Sequence, residues 1–181
     1  SSITGFLDPG GARFAPKEWD LAFIKMDLCQ NNKEYEFFSN IEIENENGFY
    51  IKKANDFVEF REILKDLVKD KNIAFTEQRV PQIVYWVVLN DDIIGIVKVR
   101  KRINENLKKI GGHIGYYILN KYRNKGYGKE LLKQVLNFFD EKTTIIVTCS
   151  KYNIASQKVI EYNNGILIEI LNDRCIYNIE K

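Results

Sequence analysis

The sequence predicts an α/β (α+β) fold in which a central mixed, mostly antiparallel sheet is flanked by helices. Three observations support this: apolar residues recur at helical spacing in several segments, β-rich runs are joined by short Asn-Asp turns, and helices alternate with strands toward the C-terminus. A chain of 181 residues, 45% of them hydrophobic, suits one domain with a sizeable core. We therefore assign residues 17–181 to a single domain, and residues 1–16 to a leader or a flexible N-terminus.

The first part of the chain is predicted to hold two helices separated by an irregular segment. Pro16 lies in the first turn of the first helix, whose apolar residues recur at helical spacing: Trp19, Ala22, Phe23 and Met26. Residues 29–50 are polar and are predicted to be irregular, with aromatic anchors. The second helix runs from about residue 55 to residue 71, and its apolar stripe has the helical period.

The remainder of the chain alternates between strands and helices. Residues 83–101 form two β-rich runs around Asn90-Asp91-Asp92, which is typical of a hairpin, and a polar loop follows. The further predicted elements are a strand at 113–119, a helix at 128–139, a strand at 144–150, a helix at 153–165 and a last hairpin about Asn172-Asp173. The strand–helix–strand order over 113–149 predicts one parallel crossover, in the right-handed sense.

Composition limits the classes of function. No apolar run approaches the roughly 20 residues that span a bilayer, and a net charge of +2 does not indicate nucleic-acid binding. The three cysteines, Cys29, Cys149 and Cys175, lack metal-ligand or redox-motif spacing, so we predict free thiols in a reducing, cytoplasmic compartment. The single histidine, His113, argues against a His-rich metal centre, and no metal is expected.

Residues 122–130, YRNKGYGKE, place two glycines among basic residues directly before an amphipathic helix. The first N–H groups of a helix lack partners within it, and together with the helix dipole they favour an anion such as phosphate. A P-loop would need Gly-Lys-Ser/Thr where Gly128-Lys129-Glu130 stands, and a dinucleotide fingerprint would need a third glycine and a later acidic residue. The turn therefore predicts a bound phosphate or pyrophosphate, and a plain basic turn remains the alternative.

The stretch Arg123-Asn124-Lys125-Gly126-Tyr127-Gly128 resembles the R/Q-x-x-G-x-G/A signature of the GNAT N-acetyltransferase superfamily. The longer stretch GGHIGYYILNKYRNKGYG is similar to the strand and loop of that motif, and VTCSKYNIASQKVIEYNNGIL is similar to the next strand and helix. The resemblance extends over about 81–181 and implies a GNAT-like fold whose sheet splays open beside strand 113–119. It also implies acetyl-CoA as the co-substrate.

The resemblance assigns residues to the acetyl-CoA. Main-chain N–H groups from Lys125 to Lys129 would hold the pyrophosphate, and the backbone of Ile118 and Leu119 would pair with the pantetheine arm. Asn153 and Ser156 would face the pantetheine or the sulfur, although Asn153 fits a helix N-cap as well. The full set of implied acetyl-CoA-binding residues is Ile118, Leu119, Arg123, Asn124, Lys125, Gly126, Tyr127, Gly128, Lys129, Asn153 and Ser156.

Direct acetyl transfer needs a proton acceptor for the amine and a donor for the leaving thiolate. His113 has an unperturbed pKa near neutrality and is the candidate base, with a structural histidine as the alternative. Many members of the family place a Tyr acid on the last helix. That position here is Glu161, so Tyr162, one residue later, is the candidate acid, and Tyr152 is another. Cys149 is expected to be a buried small residue rather than a nucleophile.

Two further groups of residues concern the acceptor. The basic residues near 100–109 are expected to form a solvated loop, or else to attract an acidic substrate or the 3′-phosphate of CoA: Arg100, Lys101, Arg102, Lys108 and Lys109. The aromatic residues are expected mostly in the core, with some lining an acceptor pocket: Phe37, Phe38, Phe49, Tyr50, Tyr85 and Trp86.

The sequence thus predicts an N-acetyltransferase that moves acetyl from acetyl-CoA to the primary amine of a small molecule or a peptide. The alternatives are a catalytically silent acyl-CoA-binding module used for regulation or interaction, and a phosphate-binding domain without CoA. We expect neither nucleic acid nor membrane among the partners, and homodimerisation is left open.

Overall fold

The computed structural model describes residues 21–25, 32–41, 45–46 and 49–181 of the chain. The strands in these ranges are β1 Leu21–Lys25, β2 Asn45–Glu46, β3 Phe49–Tyr50, β4 Ile83–Leu89, β5 Asp92–Val99, β6 Ile114–Ile118, β7 Thr144–Ser150, β8 Ile166–Leu171 and β9 Arg174–Glu180. The α-helices are α1 Asn32–Ser39, α2 Phe57–Lys69, α3 Glu105–Lys109, α4 Tyr127–Leu136 and α5 Ile154–Tyr162. Short 3-10 turns follow α2, at Asp70–Asn72, and β6, at Asn120–Tyr122.

The strands assemble into two main antiparallel sheets. The first has the order β1-β4-β5-β6 and the second has the order β7-β9-β8, while β2 and β3 form a separate short pair. The β4–β5 and β8–β9 hairpins turn at Asn90-Asp91 and Asn172-Asp173, whose φ angles of 47°, 70°, 46° and 65° are all left-handed. Asn and Asp tolerate these angles, and such two-residue turns match the twist of the flanking strands. Both predicted hairpins are confirmed.

The two sheets meet where β6 begins and then separate. His113 donates its N–H to the Ile146 carbonyl at 2.8 Å, and the Ile146 N–H donates to Nδ1 of His113 at 2.9 Å. Beyond this junction β6 and β7 are not paired in the described part of the chain, and they are connected through α4. The predicted fold class is confirmed, but the predicted parallel pairing of these two strands is not found: in the described residues the central sheet is divided between β6 and β7 into two antiparallel halves.

The apolar residues form two cores. One lies between the two sheets and the helices α4 and α5, and it includes Val97, Ile114, Leu131, Val135, Val147 and Tyr177. The other packs α1 and α2 against the opposite face of the first sheet, and it includes Phe37, Phe38, Phe60, Leu64, Trp86 and Ile96. Burial of these side chains is the main favourable term in folding. No helix in the described ranges is both long and apolar enough to cross a membrane.

The elements around the divided sheet agree with the prediction. The helices predicted at 55–71, 128–139 and 153–165 are α2, α4 and α5, with boundaries shifted by one to three residues. The strand predicted at 144–150 is β7, residue for residue. These are the elements that position the site.

The N-terminal part differs from the prediction. The sequence predicts a helix through Ala22 and Phe23, but Leu21–Lys25 is strand β1, which pairs antiparallel with β4. A short apolar run fits a helix or a strand, and here the pairing along β4 decides in favour of the strand. The ends of the predicted helix, at Pro16 and Met26, lie outside the described residues.

Residues 29–50 are more regular than predicted, as far as the structure describes them. Their centre forms α1, whose Phe37 and Phe38 pack edge-on against Trp86 with ring centroids 5.5 and 5.6 Å apart. The helix is short, and these tertiary contacts stabilise it more than its weak periodicity does. The polar loop after β5 likewise contains the short α3, which Asn104 caps by accepting the Leu107 N–H at 3.0 Å.

Candidate active site

A cavity of about 550 Å³ opens along the gap between β6 and β7. Its walls come from β5, β6, the turn before α4, β7 and the start of α5, with β3 at one end. Nine of the eleven residues that the resemblance assigns to acetyl-CoA line it. The two exceptions are Leu119, which is 4% exposed, and Lys125, whose ammonium lies over the Tyr122 ring. The cavity therefore brings together most of the predicted binding residues.

The turn before α4 adopts left-handed backbone angles. Asn124 has a φ of 59°, and Gly126, which directly precedes α4, has a φ of 88°. A side chain at the second angle would be strained, which accounts for the glycine. The N–H groups of Lys129 and Glu130 donate to the Gly126 carbonyl at 3.0 and 3.3 Å. The N–H of Lys129 is thus used within the helix, whereas no hydrogen bond is found in the described chain for the N–H groups of Gly126 and Gly128, which also line the cavity.

The second glycine of the motif has a different role. A Cβ at Gly128 would lie 3.1 Å from Cγ2 of Val159, so this glycine allows the start of α4 to lie close against α5. The Asn163 side-chain amide donates to the carbonyls of Lys129 and Val159 at 3.1 and 2.9 Å, which ties α5 to the same turn. Packing between the two helices therefore positions the turn.

The edge of β6 that faces the gap offers backbone groups to a ligand. At the two ends of the β5–β6 ladder, the Arg100 N–H donates to the His113 carbonyl at 2.8 Å and the Leu119 N–H donates to the Ile94 carbonyl at 2.9 Å. Hydrogen-bonded pairs alternate along an antiparallel ladder, so residues 114, 116 and 118 direct their backbone groups away from β5, toward β7.

Leu119 and Ile118 differ in what they can offer. The Leu119 N–H donates within the β5–β6 ladder, and the Leu119 carbonyl accepts the Tyr122 N–H at 2.9 Å. The resemblance implies that the Leu119 backbone pairs with the pantetheine arm, but both of its groups already have partners in the protein. The Ile118 carbonyl accepts a hydrogen bond from Nε of Arg123 at 2.7 Å, and the Arg123 guanidinium lies over the Tyr117 ring. The Ile118 N–H is therefore the backbone group here that points into the gap.

The start of α5 brings two predicted residues to the cavity. Oδ1 of Asn153 accepts the Ser156 N–H at 3.0 Å, so the interpretation of Asn153 as an N-cap is confirmed. Both residues also line the cavity, and the cap leaves the side-chain nitrogen of Asn153 for a ligand. The first turn of α5 is thus both capped and exposed to the cavity.

His113 is buried at the junction of the two sheets and does not line the cavity. Its ring stands edge-on against Phe139, and its Nδ1 accepts the Ile146 N–H. Burial lowers the pKa of His113 below its usual 6.5, and the charge of Arg100 lowers it further. The neutral ring is the form that accepts a hydrogen bond at Nδ1. This geometry supports the structural interpretation of His113 over that of a base.

We expect the free energy of unfolding to decrease as the pH falls below the usual histidine pKa. The unfolded chain binds a proton on His113 there, whereas the folded chain, with its lowered pKa, does not, so stability falls by up to about 1.4 kcal/mol per pH unit until the folded pKa is reached. Urea denaturation from about pH 5 to pH 8 measures this slope. In His113→Asn, which keeps an acceptor near Nδ1, the slope near pH 6 should be much smaller. Identical slopes would contradict the assignment.

Tyr162, the candidate acid, lies outside the lining of the cavity. Its ring is 61% exposed, and the ammonium of Lys129 lies 4.3 Å from its centroid. Glu161 accepts a hydrogen bond from the Tyr177 hydroxyl at 3.2 Å, and Tyr152 is 70% exposed. Neither Glu161 nor Tyr152 is among the residues that line the cavity.

Tyr116 lines the cavity, although the sequence analysis does not single it out. Its hydroxyl donates to Oγ of Ser156 at 3.4 Å. Burial raises the pKa of Tyr116 well above its usual 10, so the phenol keeps its proton at ordinary pH. The strand alternation in the sequence could have indicated this position. His113, Gly115 and Tyr117 share one face of the strand, so Tyr116 lies on the other face, toward α5.

Cys149 lines the cavity as a buried thiol. It stands opposite Cys175 in the β7–β9 register, and both cysteines are free. Burial, with a contribution from Cys175, raises the pKa of Cys149 to about 12, so it is not a thiolate nucleophile at neutral pH. The expected burial of Cys149 is confirmed, and Cys29 lies outside the described residues. In the same described ranges, no three His, Cys, Asp or Glu side chains are grouped so as to hold a metal ion.

The lining of the cavity is cationic. Among the residues that the structure describes, it contains no acidic residue and six basic ones: Lys98, Arg100, Arg123, Lys129, Lys158 and Arg174. Of the basic residues near 100–109, Arg100 alone is in this set, while Lys101 and Arg102 lie over the rings of Phe139 and Phe75 at 5.1 and 4.5 Å. Such a lining attracts anionic ligands and disfavours the binding of a positively charged ligand.

Comparisons with known proteins agree on one family. Residues 31–164 match the family model of the acetyltransferase (GNAT) domain. The structure of an acetyltransferase of the GNAT family from Bacillus anthracis is 17% identical, with a TM-score of 0.59 over 88% of this chain and 94% of that one. The Campylobacter jejuni N-acetyltransferase PseH, in complex with acetyl coenzyme A, is 16% identical, with a TM-score of 0.56 over 89% and 99%. A comparison with curated proteins found no match.

The fold is that of the GNAT acetyltransferases. The family model spans most of the sequence, and the chain belongs to the GNAT family, as the motif at residues 123–128 predicts.

Proposed function

We propose that the protein transfers the acetyl group of acetyl-CoA to a primary amine by direct attack of the amine on the thioester. The observation that carries this proposal is the cavity that begins at the glycine turn before α4 and runs between β6 and β7. Membership of the GNAT family supports the reaction type. The structure of PseH with acetyl coenzyme A supports the same donor here.

The donor is held at one end by the turn and along its length by β6. The main-chain N–H groups of residues 126–128 bind the diphosphate, and Lys158 of α5 adds positive charge to that end of the cavity. The Ile118 N–H and the side-chain nitrogen of Asn153 bind the pantetheine arm. These contacts fix the thioester in the gap, and such positioning supplies a large part of the rate.

The cationic lining favours the reactive form of the acceptor. An amine attacks only when it is neutral, and nearby positive charges lower the pKa of a bound ammonium. Since the described part of the lining holds six basic side chains and no acidic one, the amine loses its proton to water more readily inside the cavity than outside. A dedicated base such as His113 is not needed in this scheme.

The leaving group receives its proton from a pair of hydroxyls. The amine nitrogen forms the new C–N bond to the acetyl carbon, the C–S bond breaks, and the second amine proton passes to water. The thiolate takes the Ser156 hydroxyl proton, which Tyr116 replaces along their hydrogen bond, and the phenol recovers a proton from solvent. This assigns the acid role to Tyr116 and Ser156, with Tyr162 as the competing residue.

Release of free thiol from acetyl-CoA in the presence of a panel of primary amines tests the proposal. We expect acetyl-CoA to raise the thermal midpoint of the protein and at least one amine to be acetylated, with thiol and acetylated amine formed in equal amounts. Binding without turnover of any amine would favour a catalytically silent acyl-CoA-binding module. The absence of a thermal shift would favour a phosphate-binding domain without CoA.

The silent module is the second candidate function. The observation in its favour is that neither His113 nor Tyr162, the base and acid taken from the sequence, lines the cavity. The two functions share the donor site and differ only at the reacting end. The thiol assay therefore separates them, whereas a binding measurement alone does not.

A further inference from the structure

The cavity has a second group of cations at the end formed by β5. We call Lys98 and Arg100, which both line the cavity, the β5 cation pair. The Lys98 ammonium lies 4.8 Å from the centroid of the Phe49 ring and donates to the Tyr50 carbonyl at 3.3 Å. Nη1 of Arg100 donates to the Gly112 carbonyl at 3.2 Å. Both charged groups therefore contact neutral partners.

The charges of the β5 cation pair are not balanced within the described chain. Neither residue forms an ion pair with a described side chain. The acidic residue that acts on both is Asp70, and its carboxylate already accepts hydrogen bonds from Arg79 and Gln82. Burial lowers the pKa of Lys98 to about 8 and that of Arg100 to about 10. Two partly buried like charges are costly unless an anion binds between them.

The β5 cation pair is distant from the glycine turn. Lys98 stands opposite Gly115, and the Arg100 N–H bonds to His113, which are three and five residues before Ile118 at the end of β6. At roughly 3.3 Å per residue, these positions are about 10 and 16 Å from that end. The pair therefore lies beyond the reach of a diphosphate held at residues 126–128.

The surface beside the β5 cation pair is aromatic. Phe49 stacks on Tyr117 with ring centroids 6.2 Å apart and an angle of 22° between the planes. A Cβ at Gly115 would lie 3.2 Å from the Phe49 ring, so the glycine lets β3 pack closely over β6. Tyr117 belongs to the core under α1 and α2, which places this end of the cavity on the opposite sheet face from α4 and α5. An acceptor can approach the thioester from here.

We propose that the β5 cation pair binds an oxyanion carried by the acceptor, a carboxylate or a phosphate, so that the preferred acceptor is an anion-bearing primary amine. This inference rests on the proposed acetyl transfer and specifies its acceptor. The Arg100 guanidinium can donate two hydrogen bonds to one oxyanion, and Lys98 adds a point charge. Phe49 and Tyr117 contact the carbon part of the acceptor. The same cations that bind the anion disfavour a protonated amine beside them.

Matched acceptors that differ only in the anion test the inference. The pairs are glycine with glycinamide and ethanolamine phosphate with ethanolamine, and kcat/KM is expressed per neutral amine. We expect at least about a ten-fold preference for one anionic member, since a charge-assisted hydrogen bond contributes about 1.5–3 kcal/mol. The carboxylate and phosphate arms identify which oxyanion the site prefers.

Substitutions in the β5 cation pair should abolish that preference. Lys98→Gln and Arg100→Gln should each lower kcat/KM for the anionic acceptor about 10- to 100-fold more than for its uncharged partner. Lys98→Arg should keep the preference. Lys101→Gln removes the same charge one residue from Arg100 but outside the cavity, so it should keep the preference too. Thermal midpoints confirm that each variant is folded.

Calorimetric titration of glycine and glycinamide separates this inference from the proposed function. Binding that is selective for the anionic member and lost in both glutamine variants, without turnover of any amine, would support the oxyanion site and reject the acetyl transfer. Turnover with no charge preference would reject the oxyanion site and retain the acetyl transfer. The absence of charge preference in both measurements would overturn the inference.

Discussion

Replacing Gly126 with valine is expected to raise the dissociation constant for CoA by about 100-fold or more, because two or more hydrogen bonds to the diphosphate are lost at about 1.5–3 kcal/mol each. Gly126 has a φ of 88°, which a β-branched residue adopts only with strain. The turn would relax away from this angle, and the N–H groups of residues 126–128 would leave the positions in which we propose that they bind the diphosphate. Calorimetric titration with CoA measures the loss directly.

Asn90→Val is the matched control for this prediction. Asn90 has a φ of 47° in the β4–β5 turn and does not line the cavity, so valine there introduces comparable backbone strain without touching the proposed diphosphate site. We expect a similar decrease in thermal midpoint for both variants and a dissociation constant for CoA within about two-fold of the parent in the control. Unchanged CoA affinity in Gly126→Val, or equal losses in both variants, would remove the basis of the site assignment.

Tyr116→Phe is expected to lower kcat on the order of 100-fold, which is the lower range for loss of a general acid. The variant removes one hydroxyl and leaves the ring, so the dissociation constant for acetyl-CoA should stay within about three-fold of the parent. The physical reason is that the Ser156 proton given to the thiolate would no longer be replaced along the hydrogen bond from Tyr116. Thiol release at saturating acetyl-CoA and acceptor measures kcat.

Tyr162→Phe decides between the two phenols. The Tyr162 ring is 61% exposed and contacts the Lys129 ammonium, so loss of its hydroxyl should leave kcat within about two-fold of the parent. The opposite pattern, a large loss in Tyr162→Phe and none in Tyr116→Phe, would assign the acid role to Tyr162. Small effects in both variants would mean that the thiolate leaves without a protein acid.

The part of the fold from β4 onward could be predicted from the sequence because local signals there agree with the tertiary structure. The Asn-Asp turns, the apolar stripe of α4 and the glycine motif are each readable within about ten residues. The strand β1 was not predictable in this way. Its short apolar run fits either a helix or a strand, and the pairing with β4, whose partner residues are 60 to 68 positions away in sequence, decides between them.

The residues that line the cavity near the glycine turn could be predicted for the same reason, because most of them belong to one contiguous motif at residues 118–129. The side chains near the proposed position of the thioester could not be predicted, because their exposure to the cavity depends on which side of the divided sheet each one faces. His113 suggested a base by its pKa, yet the hydrogen bond to Ile146 places it at the sheet junction. In the sequence, Tyr116 and Lys98 have the pattern of ordinary strand residues. They line a cavity only because the sheet is open between β6 and β7.

The division of the sheet also leaves a space between β6 and β7 that a bound molecule, and not a strand of the protein, could fill. In the described part of the chain, no strand pairs with the edge of β6 that faces β7, and the two halves are held side by side chiefly by apolar packing, which has no directional preference. An extended amide-bearing chain lying in that space occupies the place of an absent strand. Under the proposed function, the pantetheine arm of acetyl-CoA would fill this place, and each turnover would add and then remove that extended segment beside β6.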